Sequence, residues 1–295
     1  KSFPSVNRFP FSGRRAALSI NRKHLILQWQ GRINVVDVET EQQVDGFRDL
    51  VTPGQISSLA IANSGKFAVV FQRDGTLKRF ETNSGKEAWI WKGVKRNPFA
   101  ATVSIGADDQ NVLVDNGKQI VILDAGDGSV VRSWDADQNW VPRLAFQVDA
   151  NHVASTSSSG RFQFWDASNG RQIWQLPGSR GDLNNFAFSG DGKVLVRCHS
   201  TNTNVLEAET GKQIGKINAF SSQVAVNQDG RRVALLEENK NVIKIRDVES
   251  GREVLSFQSS SQFVWFAFGW DDQSFLAQTG AGELLFWNLD TGDKG

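Results

Sequence analysis

The chain has 295 residues, with 33 Lys and Arg against 32 Asp and Glu, a formal net charge of +1 and a single cysteine. Interspersed charges of both signs argue against the clustered positive face that nucleic acid requires. No run of about eighteen apolar residues is present to span a membrane as a helix, and a lone Cys198 forbids an internal disulfide.

Taken in chain order, the sequence opens with KSFPSVNRFPFSG. Pro4 and Pro10 lack amide donors, which confines any strand here to about residues 5–9 and suits an outer edge. Two readings stay open: this segment closes the last repeat as its outer strand, or residues 1–13 are a linker and the closing strand lies beyond Gly295.

From there, seven stretches end alike, in an acid or amide followed by a turn: Asp37, Glu81, Asp124, Asp166, Glu207, Asp247 and Asn288, at spacings of 44, 43, 42, 41, 40 and 41 residues. Six of the seven carry Gly four positions later. Within a repeat, such as NNFAFSGDGKVLVRCHSTNTNVLEAETGKQIGKI from Asn184, apolar and polar residues alternate between Gly-containing turns, the pattern of three or four short strands. A period of about forty with several strands per unit predicts an all-β fold, a seven-bladed β-propeller of four-stranded antiparallel blades. The repeats run approximately over 14–47, 55–91, 99–134, 140–176, 182–217, 220–257 and 262–292, and together form one domain. No sustained helical periodicity competes with this.

The residues carry two family resemblances. Phe186-Ala187-Phe188-Ser189-Gly190-Asp191-Gly192-Lys193 and Phe162-Gln163-Phe164-Trp165-Asp166 resemble the two halves of a WD-repeat, with weaker copies from residue 14 to 292. Trp precedes the acid only at Trp165 and Trp287, with Val36, Phe80, Leu123, Leu206 and Arg246 elsewhere, and the family's Gly-His pair is absent. Segments such as ETNSGKEAWIW and DASNGRQIWQL are similar instead to quinoprotein-like propellers, whose repeats use Trp to dock one blade on the next. That resemblance gives Trp89, Trp134 and Trp174 a docking role, each burying about 150–250 Å². The WD-type reading is preferred.

Chemistry-bearing groups do not converge in the sequence. His24, His152 and His199 fall at strand ends in different repeats, without zinc-type spacing. Cys198 sits in an alternating strand as a small apolar residue. The recurring acids occur once per repeat at one turn, which makes them caps rather than catalytic pairs. No catalytic residue, metal ligand or cofactor is expected, and the protein is expected not to be an enzyme.

Binding is expected where the repeats differ. In WD-repeat proteins the residue before each blade's first strand, and the one two further on, often carry the contacts. Matched here, these are Arg14, Gln55, Phe99, Trp140, Asp182, Phe220 and Gln262, then Ala16, Ser57, Ala101, Pro142, Asn184, Ser222 and Val264. Aromatic and Arg side chains dominate interface hot spots, so Phe99, Trp140 and Phe220 with Arg14 are the strongest candidates. Trp140 leads them, because Asp137-Gln138-Asn139 leaves its ring little local cover. The expected function is a non-catalytic scaffold that binds a protein or peptide on this rim, as a monomeric propeller within a larger protein, with neither nucleic acid nor membrane as partner. The alternative is a quinoprotein-like cofactor-binding or enzymatic propeller using the central channel. The compartment stays open, a cytoplasmic one being slightly favoured.

Overall fold

The computed structural model describes residues 15–19, 23–29, 32–38, 40, 42–43, 50–51, 56–93, 103–106, 108–115, 119–135, 143–146, 151–156, 161–178, 185–198, 201–237, 240–269, 271–281 and 283–290. These form seven antiparallel sheets whose strand order follows the chain. The protein is an all-β, seven-bladed β-propeller, and the described residues contain no helix.

Blade one comprises Arg15–Leu18, His24–Trp29, Arg32–Asp37 and Gln42–Gln43, with Leu50–Val51 also paired to its third strand. Blade two runs Ile56–Ile61, Phe67–Gln72, Leu77–Glu81 and Glu87–Trp91; blade three Val103–Ile105, Asn111–Asp115, Gln119–Asp124 and Val130–Asp135; blade four Arg143–Phe146, His152–Thr156, Phe162–Asp166 and Arg171–Leu176. Blade five has Asn185–Phe188, Val194–Cys198, Thr203–Glu207 and Gln213–Ile217, and blade six has Val224–Val226, Arg232–Leu236, Val242–Asp247 and Glu253–Gln258. Blade seven contributes Phe263–Phe268, Ser274–Thr279 and Leu284–Asn288. The expected closing segment, residues 1–13, lies outside the described residues. Blades one to four form one compact unit and blades five to seven another.

The turn after each third strand explains the period. At Asp166 one carboxylate oxygen accepts from the Ser168 amide at 2.8 Å and its hydroxyl at 2.5 Å, while the Gly170 amide reaches the Asp166 carbonyl at 2.8 Å. Gly170 has φ +74°, a conformation that a Cβ disfavours. Asp247 repeats the device through the Ser250 amide at 2.8 Å and hydroxyl at 2.6 Å. In both acids the serine hydroxyl bond, then the serine amide bond, holds the carboxyl below its ordinary value. These acids close their own hairpins.

Strand composition follows position in the sheet. Second strands are buried on both faces, as Phe67–Gln72 is throughout, because each blade is packed on two sides. Fourth strands are edges, and five of them are bulged one residue in from the turn. The bulge turns Val131, Ile173, Ile214 and Val254 outward and breaks the flat ladder onto which another chain would pair.

Two tryptophans lock the seams of blades two to four. The Trp89 indole N–H donates to the Ala125 carbonyl at 3.0 Å, and a Cβ on Gly128 would lie 2.8 Å from that ring. Trp134 stands in the same way against Gly170, at 3.0 Å. Trp174 stacks on Phe162 and Phe164 of its own blade, with centroids 5.5 and 4.9 Å apart. At the adjoining turns between first and second strands, Asp109 accepts from the Asn63 and Ser64 amides of blade two at 2.6 and 2.8 Å. Asp272 does the same for blade six, accepting from the Gln228 amide at 2.7 Å and the Asn227 side-chain amide at 3.0 Å.

Candidate binding cleft between blades five and six

Of the rim positions expected from sequence, Arg14, Gln55, Phe99, Trp140 and Asp182 lie outside the described residues, as do Ala101, Pro142 and Asn184. Phe220 and Gln262 are described, each just ahead of its blade's first strand, and both are exposed, Phe220 at 36%. In the second set, Val264 is exposed at 39% and Ser222 half-buried, but Ser57 is buried at 3% and so is no contact residue. Ala16 falls in the first strand of blade one.

Local bonds fix the rim around Phe220. The neighbouring Ser221 hydroxyl accepts from the Leu236 amide at 2.8 Å and donates to the Leu236 carbonyl at 3.0 Å, tying the lead-in loop to the end of blade six's second strand. Gln223 then donates from its side chain to the Val264 carbonyl at 2.8 Å, joining blades six and seven. The Phe263 amide donates to the Lys240 carbonyl at 2.6 Å on the same side.

Phe220 opens onto a cleft of about 530 Å³. Thr201, Asn218, Ala219 and Phe220 line it from blade five and the loop that follows. Glu237, Val242, Lys244 and Arg246 line it from blade six. Its volume falls within the range of about 300–1,000 Å³ usual for small-ligand pockets.

The polar wall departs from the repeat. The residue before each recurring acid packs between blades: Val36, Phe80, Leu123, Trp165, Leu206 and Trp287 are exposed by at most 6%. Blade six has Arg246 there. Its guanidinium donates to Glu237 at 2.7 Å and to the Gly251 carbonyl at 3.3 Å. Lys244 bridges Glu237 at 3.0 Å and Glu253 at 3.2 Å. Burial pushes the Glu237 carboxyl up, but the bonds from Arg246 and Lys244 together outweigh it and leave it below its ordinary value. The Glu237 and Glu253 bonds raise Lys244 in turn.

Phe220 and Gln262 were legible as rim positions; Glu237 and Lys244 were not, because they meet blade five only through the fold. Arg246 had a sequence signal, being the one charge in an otherwise apolar register. His24 and His152 keep local roles: the His24 ring lies over the Gly65 turn, and His152 stacks on Phe164 at 5.1 Å. His199 lies outside the described residues. Cys198 is buried, and burial pushes its thiol up to about 11. Among the described residues no group of three or more His, Cys, Asp and Glu is placed to hold a metal ion, and no helix is long and apolar enough to cross a membrane.

Comparison with known proteins bears on both resemblances. The chain is similar to the anaphase-promoting complex subunit cdc20 of Dictyostelium discoideum, a WD-repeat protein, at 24% identity over 203 residues. That similarity covers 62% of this chain and 39% of the relative, so the chain spans about two fifths of that protein's length. The Trp165 indole, beside the recurring acid of blade four, donates to the Ser155 hydroxyl at 2.8 Å. A family model described as outer membrane protein assembly factor BamB matches residues 73–294. This is a PQQ_2 repeat, not a WD-repeat as such, and it agrees with the docked tryptophans at Gly128 and Gly170. The match spans well over half of the chain, which therefore belongs to the PQQ_2 family of propellers, that of outer membrane protein assembly factor BamB.

Proposed function

We propose that the protein is a non-catalytic interaction scaffold that holds a protein or peptide on the rim around Phe220. The observation that carries this reading is the cleft beside Phe220, where an exposed aromatic ring borders an ordered cluster of charges. Strands fixed on both sides hold the lead-in loops, so a partner docks with little ordering cost. The names of the relatives support it: one is an assembly factor, the other a subunit of a complex.

The test places a photo-crosslinking amino acid at position 220 or, at the opposite end of blade five, at position 212. A partner is expected to crosslink from 220 and not from 212. Its affinity, measured with the purified partner, is expected to fall at least tenfold in Phe220→Ala with the unfolding midpoint unchanged. Crosslinks from 212 alone, or an unchanged affinity, would overturn the reading.

The second reading, a cofactor-bearing propeller, draws on the PQQ_2 family match. The described residues offer no set fitted to a metal-bound quinone. Absorbance and mass spectrometry of protein purified from its source test it, and a bound quinone would favour it over the scaffold.

A further inference from the structure

Blade six holds a charge in a register that packing alone would fill with an apolar side chain. Leu123 and Leu206 occupy the position of Arg246 in blades three and five, exposed by 0% and 2%. Arg246 and Glu237 meet at 2.7 Å with their side chains exposed by only 19% and 25%. A pair so far out of water regains in attraction about what it loses in hydration, so an aliphatic residue there would serve stability as well. Stability therefore does not account for the cluster.

Its donors outnumber their acceptors. An ammonium group carries three N–H donors and a guanidinium five. Among the described residues Lys244 spends two, on Glu237 and Glu253, and Arg246 spends two, on Glu237 and the Gly251 carbonyl. The Arg246 Nε is buried and has no acceptor among the described residues. On the facing wall the exposed Asn218 side chain makes no hydrogen bond among the described residues. The charges lining the cleft are Lys244, Arg246 and Glu237, whereas Glu253, 40% exposed, lies outside the lining. The cleft thus presents unspent N–H groups and a positive balance beside the Phe220 ring.

We propose that the cleft binds the side-chain carboxylate of an aspartate or glutamate in a peptide segment of the partner, while a neighbouring apolar residue of that segment covers Phe220. The proposal rests on the rim reading above and names what the rim recognises. Glu237 shows the fit, with one oxygen on Arg246 and the other on Lys244. The incoming carboxylate takes N–H groups that Glu237 leaves over, together with the Asn218 amide of the facing wall. Such charge-assisted bonds are about twice as strong as neutral ones, so the cleft prefers an acid to its amide. Glu237 is a like charge beside the incoming group and holds its affinity down.

The probe is an acetylated, amidated Gly-Leu-Gly-Glu-Gly peptide, set against its Gln and Lys versions and a Gln version with a free C-terminal carboxylate. Binding is followed by nitrogen-15 NMR of the arginine Nε–H groups, the Arg246 signal being the one that Arg246→Leu removes. The Glu peptide is expected to bind at least tenfold more tightly than the other three and to shift that signal. Arg246→Leu gives blade six the leucine of blades three and five, and is expected to bring the Glu peptide down to the level of the Gln peptide. Lys244→Gln, which leaves the seam register untouched, is expected to weaken the Glu peptide at least threefold, and Glu237→Gln to strengthen it at least threefold by removing the like charge. Equal binding of the Glu and Gln peptides, tighter binding of the free-ended one, a Glu peptide unaffected by Lys244→Gln, or one weakened by Glu237→Gln would each overturn the proposal. Glu and Gln peptides that bind alike and are both lost in Phe220→Ala would sink the carboxylate site and leave the rim reading standing. A Glu preference that Phe220→Ala leaves untouched would support the carboxylate site and count against the rim reading alone.

Discussion

Trp89→Ala tests the mechanism that joins the blades. Trp89 is exposed by 9%, its indole N–H has the Ala125 carbonyl as acceptor, and its ring fills the space that a Cβ on Gly128 would take. Burying about 150–250 Å² of an aromatic at about 25 cal/mol per Å² gives about 4–6 kcal/mol, an upper bound because an unfolded chain already buries part of that area. Allowing for the retained Cβ, truncation should cost about 3–5 kcal/mol. Trp89→Phe separates the terms: most of the area stays, while the Ala125 carbonyl loses its donor, at about 1–2 kcal/mol. Urea unfolding followed by far-ultraviolet circular dichroism measures both variants, with hydrogen exchange in blades two and three locating the loss. Should Trp89→Phe cost as much as Trp89→Ala, the hydrogen bond and not the ring area would join the blades. Should Trp89→Ala cost under about 1 kcal/mol, the docking account would be wrong.

Asp272 has φ +55° and accepts two hydrogen bonds from blade six. Asp272→Ala should cost about 2–3 kcal/mol by losing those bonds and placing alanine in the left-handed region, and Asp272→Gly should cost about 1 kcal/mol less because only the bonds go. Equal losses in urea would refute the strain component. Cys198, with its thiol pushed up to about 11, should resist a disulfide reagent at pH 8 in the native protein and react at once in denaturant; fast native labelling would contradict its burial. Glu237 sits below its ordinary 4.5, so its contribution is present above about pH 4.5 and is lost as pH falls through the lower folded value. Lys244 sits above its ordinary 10.5, so its contribution holds below that pH and is lost as pH rises through the raised value. The gap in thermal midpoint between wild type and Glu237→Gln should be steady from about pH 5 to 10 and shrink below pH 4; a gap unchanged at pH 3 would refute the ion-pair account.

The turns were legible because two constraints act on one short segment. An acid is needed at Asp166 or Asp247 to accept the amides that follow, and a glycine is needed four residues later for positive φ. Only a few residue types meet either demand, so the sequence repeats them. The second strands were harder to read, since burial on both faces replaces alternation with runs such as Phe67–Gln72. Of the three tryptophans read as docking residues, Trp89 and Trp134 stand against Gly128 and Gly170 of the next blade, whereas Trp174, with the same spacing from its turn glycine as Trp89, stacks on Phe162 and Phe164 of its own blade. The charge cluster was not legible, because Glu237, Lys244 and Glu253 carry ordinary surface residue types whose meeting depends on strand register. Arg246 was visible only as a departure, and what a departure means depends on the neighbours that the fold gives it.

The position of the cleft follows from how a repeat fold is stabilised. Each blade gains stability from the seams with its neighbours, so losses at one seam are borne by the next. Between blades six and seven, Phe257, Phe263, Phe266, Phe268, Phe275 and Trp287 form an aromatic cluster, with Phe257 and Trp287 centroids 4.6 Å apart. Between blades five and six the apolar core is built from small aliphatic residues such as Val196, Val205, Val226 and Val233, and the outer part is given over to Arg246, Lys244 and Glu237. Blade six is thus anchored by its aromatic seam with blade seven. Its other face is left free to hold charges that would be destabilising if both seams were built that way. Sites that sacrifice packing for recognition are expected next to packing strong enough to hold them in place. The cleft at Phe220 lies one blade away from this aromatic seam for that reason.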